Sequence, residues 1–303
     1  MTKLSIAASC ALTLAAFGFS STAFAGKEIK EVKDIKETVK ESCITGDIGV
    51  QVVSQYVSRG SVLENQGFIA QPYLDLYFKL YSGDGFINNV TFALGLWSSL
   101  HSENTQQGLA TGTGESTTPC WYEFDYSAGI AVTFAKNFTL TSSYFEYNYP
   151  NDNFTTQRFL QFKLAYNDSD LLGKFAINPY VKYEIFMENP DGGSYFEVGI
   201  TPGFDAGPVR VNFPFIAGFG AGNFYGQGGF AYASGGVVLS YPLTFVPECY
   251  GKWAINAGYT LYYLDKGINL DTFNTQQEVG IADSIRRRSE WENVFSGGIG
   301  LTF

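Results

Sequence analysis

Long apolar runs, histidine and basic charge are all scarce in this chain of 303 residues. After residue 25 no apolar stretch reaches the about 18 residues that a membrane-spanning helix needs, which excludes a helical membrane protein. The chain has 19 Lys and Arg against 29 Asp and Glu, a net charge of -10, whereas nucleic-acid-binding proteins carry a basic excess. One histidine and four separated cysteines lack the ligand spacing of a metal site. We therefore expect no nucleic-acid partner, no metal and no cofactor.

Aromatic residues are abundant instead, with 20 Tyr and 27 Phe against only 2 Met. Aromatic side chains favour strands over helical cores, and they form the interface girdles of membrane barrels. The glycine-rich stretches 108–114 and 218–229 lack the helix and the Lys-Ser/Thr ending of a phosphate loop. They are interpreted as flexible outer loops.

The first 25 residues have the pattern of a secretory signal peptide. Lys3 precedes an apolar stretch from Leu4 to about Phe17, and Ala23-Phe24-Ala25 matches a cleavage site. The mature chain is therefore expected to begin near Gly26 and to be exported.

Residues 26–46 form a separate charged segment in which lysines and acidic residues alternate around Ile29, Val32, Ile35 and Val39. The apolar spacing predicts a short amphipathic helix. We interpret it as a periplasmic leader before the first strand. A plug inside a barrel and a partner-binding coil are the alternatives.

From Asp47 onward the apolar period is two, as in strands with one apolar and one polar face. At the end of the chain Phe295, Ile299, Leu301 and Phe303 share one face. A small residue followed by apolar and final aromatic positions resembles the C-terminal signal of bacterial outer-membrane barrels. We expect this strand to contact the barrel assembly machinery.

Length and number distinguish these runs from the strands of a soluble sandwich, because most have ten to fifteen residues, enough to cross a membrane at a tilt. We expect an all-β, transmembrane, antiparallel up-and-down barrel of about twelve strands over residues 47–303. The short turns are expected to face the periplasm and the long loops to face outside. Prolines 72, 179, 202 and 214 fall inside predicted strands, where bulges are expected. The predicted strands are 47–57, 68–81, 88–101, 121–134, 137–149, 155–167, 174–187, 193–204, 208–218, 229–243, 252–263 and 288–303.

The alternation also predicts which side chains face the barrel interior. Such an ionic interior implies either water along a solute path or acid–base pairs that close the barrel, and we favour the path. The acidic excess predicts a weak preference for cations. The residues predicted to face inward are Gln51, Gln55, Asp75, Lys79, Glu123, Asp125, Gln161, Lys163, Lys182, Glu184, Glu197, Arg210 and Asn212.

Cysteines and a basic cluster add two further predictions. Cys43 precedes the first strand and Cys249 lies in the turn between the tenth and the eleventh, so both map to the periplasmic side, whereas Cys120 maps outside. A Cys43–Cys249 disulfide is predicted in the oxidising periplasm. Three arginines lie near the outer end of the last strand, where they could contact lipopolysaccharide phosphates, form a basic ring at the mouth, or belong to a solvated loop. These residues are Arg286, Arg287 and Arg288.

Catalysis would have to use His101, the only histidine, with Ser98 or Ser99 nearby. A Ser-His-Asn arrangement is found on the lipid side of outer-membrane phospholipases. Here the odd–even alternation along the strand places His101 and Ser99 on the inward face. We expect no enzyme.

The segment from Ser54 through Tyr56 and Arg59-Gly60 to Gln71-Pro72 resembles the first hairpin of the TorF-like porins. This resemblance implies an outer-membrane barrel of pore function, with Arg59 at the start of the first outer loop, either pinning that turn or lining the mouth. We therefore expect a porin-like passive channel for small hydrophilic solutes in the outer membrane of a Gram-negative bacterium, in contact with lipid and lipopolysaccharide. The alternative is a non-conducting structural or surface-interaction barrel. Association into homo-oligomers is left open.

Overall fold

The computed structural model describes residues 43–103, 120–151, 154–187, 193–222, 224–225, 228–265 and 290–303. The predicted signal peptide, most of the charged leader and the three arginines 286–288 lie outside these residues. Within the described segments, no helix has the length and apolarity needed to span a membrane.

The described chain is almost entirely β-structure. A short helix, α1, covers Ser169–Leu172, and 3-10 turns cover Gly173–Phe175 and Glu248–Tyr250. The strands are β1 Ile44–Val53, β2 Tyr56–Ser58, β3 Ser61–Glu64, β4 Ile69–Ser82, β5 Ile87–His101, β6 Trp121–Phe134, β7 Phe138–Asn148, β8 Gln157–Tyr166, β9 Tyr180–Phe186, β10 Ser194–Ile200, β11 Gly203–Ala206, β12 Val209–Asn212, β13 Phe215–Ala221, β14 Gly229–Pro242, β15 Lys252–Leu264 and β16 Trp291–Thr302.

Twelve of the described strands form a closed antiparallel barrel, as predicted. Strands β1, β4 to β10 and β13 to β16 each pair with the next, and β16 pairs back with β1 through Asp47↔Thr302 to Val53↔Ser296. Ring closure leaves no free edge, so the backbone groups of every strand find partners inside the barrel. The hairpin β11–β12 extends the wall from β10 and β13, and β12 also pairs with β14.

The period-two pattern decides which residues face out. Leu74, Leu76 and Phe78 alternate along β4 with Tyr73, Asp75 and Tyr77, and the β1–β4 and β4–β5 registers keep each set on one face. Apolar outward side chains are substantially exposed, as Ile130 at 46% and Phe295 at 60% illustrate. This outward surface suits hydrocarbon because its side chains need no hydrogen-bond partners.

The two ends of the barrel differ. At the turn end, where Gly46 and Phe303 exchange backbone hydrogen bonds of 2.9 Å, most connections are tight, such as Ala135-Lys136 with φ of 47° and 69°. At the opposite loop end, the connections after β5 and β15 are long. The turn end thus corresponds to the predicted periplasmic side.

The prolines interrupt the wall more strongly than predicted. Pro202 separates β10 from β11, Pro214 separates β12 from β13, and Pro179 lies just before β9, because each proline removes a donor from the ladder. Pro72 lies inside β4 opposite Val50, and the β1–β4 register continues across it without a shift, so the bulge expected there is absent.

The strand predicted over 174–187 also starts late. Residues 169–175 are helical, and the strand begins at Tyr180. The carboxylate of Asp168 explains the turn, since it accepts backbone N–H bonds from Ile177 and Asn178 at 2.9–3.2 Å.

The predicted Cys43–Cys249 disulfide is wrong, because both residues are exposed free thiols. Cys43 extends the ladder toward β4, where its carbonyl accepts a 2.8 Å hydrogen bond from Lys79 N. Cys249 lies in the turn between β14 and β15, so β15 and β16 lie between the two residues along the wall. At about 4.8 Å per strand, the gap exceeds the reach of a disulfide. Cys120 is buried near the loop end, just before β6.

Candidate functional site

The first loop-end connection, between β1 and β4, folds into the barrel. It contains the hairpin β2–β3, joined by Arg59 and Gly60 with φ of 48° and 81°. Positive φ at both central residues is typical of a type I′ hairpin turn, and it is uncommon for arginine. Arg59 was predicted to start an outer loop, whereas the structure places it at the tip of this inner hairpin.

One strand of the inner hairpin packs against β5 and β6. The Tyr56 hydroxyl donates a 2.8 Å hydrogen bond to Glu123 Oε2, and the Tyr56 ring lies 5.4 Å from Trp97 and 6.1 Å from Tyr122. Ile69 belongs to the same buried cluster. This contact fixes the entry of the hairpin to the barrel wall.

The tip of the inner hairpin contacts the next part of the wall, which follows β6 around the ring. Arg59 Nε lies 2.6 Å from Glu184 Oε2 on β9, and Arg59 Nη2 donates a 2.8 Å hydrogen bond to the Tyr147 hydroxyl on β7. The Arg59 guanidinium carbon also lies 5.1 Å from the ring centre of Tyr147, 4.6 Å from that of Phe159 and 5.8 Å from that of Tyr195. Four adjacent wall strands, β7 to β10, therefore surround one side chain.

The second strand of the inner hairpin reaches β14 and β15. Val62 is 0% exposed in a cluster with Tyr195, Tyr232 and Leu264. At the tip, a Cβ on Gly60 would lie 2.8 Å from the Tyr232 ring, so only glycine fits. The hairpin thus crosses the lumen from β5 and β6 to β14 and β15.

The charge on Arg59 is secure in this setting. Burial opposes the charged form of the Arg59 guanidinium, whereas the Glu184 carboxylate at 2.6 Å and the Tyr147 hydroxyl at 2.8 Å stabilise it. The hairpin tip therefore carries a permanent positive charge.

A second ionic group lies beside the first. Lys182 Nζ is 3.0 Å from Glu197 Oε2 and 3.5 Å from Glu184 Oε1. Glu197 also accepts hydrogen bonds of 2.7 Å and 2.6 Å from the hydroxyls of Tyr180 and Tyr195. These contacts satisfy Glu197 from three neighbouring positions and fix the rings beside Arg59.

The register places the predicted inward residues of the strands on one common face, which is the face that contacts the inner hairpin. Arg59, Lys182, Glu184 and Glu197 are brought together, and Glu123 and Asp125 lie on the wall near Tyr56. The others lie along the same face on their own strands: Gln51, Asp75, Lys79, Gln161, Lys163, Arg210 and Asn212. Gln55 follows β1 and donates to Glu292 Oε2 at 3.1 Å.

The interior differs between its two halves. Near the loop end many inward side chains are large and aromatic, and they lie beside the inward carboxylates Glu123, Asp125 and Glu184. The aromatic residues are Tyr73, Trp97, Phe145, Tyr147, Phe159, Phe186, Tyr195, Tyr232 and Tyr262. Toward the turn end, apart from Tyr77, Lys79, Lys163, Tyr180, Arg210 and Lys252, they are mainly small or polar: Thr45, Gly49, Asn89, Thr91, Ala93, Gly129, Ala131, Thr133, Thr139, Thr141, Ser240, Asn256, Gly258, Gly300 and Thr302. The hairpin occupies the aromatic half.

His101 and Ser99 form a contact without the arrangement of a hydrolase. Ser99 Oγ lies 2.8 Å from His101 Nε2, and the imidazole stacks on Tyr122 at 4.4 Å. His101 Nδ1 has no hydrogen-bond partner among the described residues, whereas a catalytic triad needs an orienting carboxylate or amide there. The pair packs beneath the inner hairpin.

Sequence reasoning missed the aromatic cage around Arg59. Tyr147, Phe159 and Tyr195 were not predicted as site residues, although each lies at an inward position near the loop end of its strand. The signal available was Arg59-Gly60 flanked by short alternating runs, which fits a two-residue hairpin.

No family model and no curated protein matches this chain. Among solved structures, the NanC porin shares 12% identity at a TM-score of 0.43, covering 84% of this chain and 98% of that one. An outer membrane channel from Pseudomonas putida F1 shares 11% identity at a TM-score of 0.45, covering 90% and 100%. The β domain of the Bordetella autotransporter BrkA shares 8% identity at a TM-score of 0.38, covering 85% and 98%.

Proposed function

We propose that this protein is a porin-like passive channel for small hydrophilic solutes in the outer membrane of a Gram-negative bacterium. The inner hairpin would form its constriction. The observation that carries the proposal is the division of the interior into a small, polar half and an aromatic half that the hairpin crosses. Small inward residues leave room for water, while the hairpin limits which solutes pass.

The weak cation preference follows from the charges on the inward face. In the described residues, carboxylates outnumber cations there, and an acidic lining favours cations. The carboxylates are Asp47, Asp75, Glu123, Asp125, Glu184, Glu197, Asp205 and Glu292; the cations are Arg59, Lys79, Lys163, Lys182, Arg210 and Lys252. The reversal potential in a salt gradient tests this preference, and anion selectivity would contradict it.

The outward apolar strands support contact with lipid, and the β16 strand supports recognition by the barrel assembly machinery. The resemblance to TorF-like porins likewise belongs to the proposal. It rests on the segment that forms the inner hairpin and the start of β4.

A non-conducting barrel is the second candidate, and the tight packing of the inner hairpin favours it. Val62 and Glu64 of the hairpin and Tyr195 of the wall are fully buried. Such burial would close the loop-end half unless the hairpin moves. In that case the outer loops would be the working surface.

Single-channel recording in planar bilayers separates the two candidates. Val53 pairs directly with Ile69, so residues 54–68 can be replaced by a two-residue Asn-Gly turn. A channel should show small discrete currents in the wild type and larger ones in this variant. Currents in the variant alone would indicate a barrel closed by its hairpin. If neither protein conducts, the channel proposal is wrong.

A further inference from the structure

We propose that the barrel wall around Arg59 is a guanidinium-binding site, which Arg59 occupies as a tethered ligand. The site consists of Glu184, Tyr147, Phe159 and Tyr195. It should bind small guanidinium compounds when the Arg59 side chain is absent or withdrawn. Binding can be measured on purified protein in detergent, so the proposal does not depend on conductance.

The contacts of Arg59 match what a guanidinium requires. Its planar cation is bound at its edge by Glu184 at 2.6 Å and by the Tyr147 hydroxyl at 2.8 Å, while three aromatic rings lie within 5.8 Å of the guanidinium carbon. A carboxylate at the edge and ring faces around the plane are the groups that bind this cation. An ammonium ion would use the charge but not the planar geometry.

All four wall residues belong to strands β7 to β10 and not to the hairpin. The wall groups are held by contacts that do not involve Arg59: the Tyr195 hydroxyl donates to Glu197 at 2.6 Å, and Phe159 stacks on Phe186 at 5.1 Å. Removing the Arg59 side chain therefore leaves the cage in place. A preformed site loses little entropy when it binds a ligand.

Glu184 supplies the driving force. Its side chain is only 3% exposed, and without Arg59 its nearest cation is Lys182 at 3.5 Å. Lys182 is closer to Glu197, at 3.0 Å, and so compensates Glu184 incompletely. A buried carboxylate that loses its partner gains from any cation that reaches it.

In the wild type, the tethered Arg59 competes with any free ligand. Tethering on a short chain gives an effective concentration on the order of millimolar or higher. Binding of a free guanidinium compound should therefore be visible mainly in variants that lack the Arg59 side chain.

The test is a calorimetric titration of methylguanidinium chloride into the Arg59→Ala variant in detergent, with methylammonium chloride at the same ionic strength as the reference salt. We expect saturable binding of methylguanidinium, at least about tenfold weaker binding of methylammonium, which lacks the planar fork, and no measurable binding to the wild type. The double variant Arg59→Ala, Glu184→Gln should lose at least about tenfold in affinity.

Arg158→Ala is the matched control, because Arg158 Nε pairs with Glu146 at 2.9 Å on the outward face. It should gain no guanidinium binding. If Arg59→Ala does not fold, Arg59→Gln replaces it. If neither folds alone, methylguanidinium added during refolding should restore the folded form, seen as heat-modifiable migration on a gel.

The proposal is overturned if the folded Arg59 variants bind methylguanidinium no better than methylammonium, or if Glu184→Gln leaves that binding unchanged. Failure of refolding rescue in variants that do not fold overturns it equally. A wild type that conducts in bilayers while these results are negative would leave the channel proposal standing. Selective methylguanidinium binding in a protein that does not conduct would support the guanidinium site and contradict the channel proposal.

Discussion

Trypsin offers a direct measure of how firmly the inner hairpin is docked. Between Cys43 and Tyr77 the chain contains one basic residue, Arg59, so cleavage after Arg59 reports exposure of the hairpin tip. In the docked state, the Arg59 side chain is 17% exposed and contacts Glu184 at 2.6 Å. Replacing Glu184 by Gln keeps the shape of the side chain but removes its charge. We expect faster cleavage after Arg59.

The size of the effect follows from the contacts that remain. Removing one partner of a fully buried ion pair costs about 3–5 kcal/mol. Arg59 keeps its hydrogen bond to Tyr147 and its ring contacts, and it is partly exposed, so we take about 2 kcal/mol for the docking equilibrium. Since about 1.4 kcal/mol is a tenfold change, the undocked population should rise about 30-fold. When undocking is fast compared with cleavage, the cleavage rate rises by the same factor.

The assay follows the fragment that ends at Arg59 by mass spectrometry, in detergent, at several trypsin concentrations. Glu146→Gln is the matched control, because it removes the carboxylate that pairs with Arg158 on the outward face, across the wall from the hairpin tip, where the Arg158 side chain is 43% exposed. The reasoning fails if Glu184→Gln changes the rate by less than about threefold. It also fails if Glu146→Gln accelerates the same cleavage equally, because the barrel rather than the hairpin would then be opening.

Three further predictions concern the hairpin and the thiols. Gly60→Ala should lower the thermal midpoint more than Gly207→Ala, because both glycines have positive φ but only Gly60 faces a ring at 2.8 Å; equal losses would refute the close approach. Tyr56→Phe should cost about 1–3 kcal/mol in the same melts, since it leaves a buried carboxylate without its 2.8 Å donor, and an unchanged midpoint would contradict that contact. Cys43 and Cys249 should both react with a maleimide in the folded protein without reductant. Protection of both thiols would instead support a Cys43–Cys249 disulfide.

The barrel itself was predictable from local sequence because its physics is local. Each strand must separate a lipid-compatible face from a polar one, so a period of two appears within the runs, as in β4, where Leu74, Leu76 and Phe78 alternate with Tyr73, Asp75 and Tyr77. The closed ring then follows from the need to pair every backbone group. The predicted and observed bounds of β6, 121–134, coincide.

The candidate site was predictable only in part, because it depends on contacts between distant segments. Parity placed Glu184 and Lys182 on the inward face, but nothing in either strand indicates which cation they meet. Arg59 is 125 residues from Glu184 in the sequence. Whether the hairpin that contains Arg59 folds into the lumen depends on the volume that the whole ring leaves free. The Cys43–Cys249 prediction failed for a related reason, since sharing one end of the barrel does not make two residues neighbours along its circumference.

The position of each inward side chain along the barrel axis carries information that the odd–even alternation alone does not give. Glycine, serine and threonine are too small to fill the interior of a twelve-stranded ring, and the turn-end half has mostly such residues. In the loop-end half, Trp97, Tyr147 and Tyr232 project inward, yet exposed aromatic rings around a water-filled lumen would forfeit their burial energy. An additional segment that packs between them recovers that energy. The connection that contains Tyr56 does so, with Val53 and Ile69 of its flanking strands in the same cluster. Inward aromatics concentrated at one end of a barrel therefore predict an inserted segment at that end.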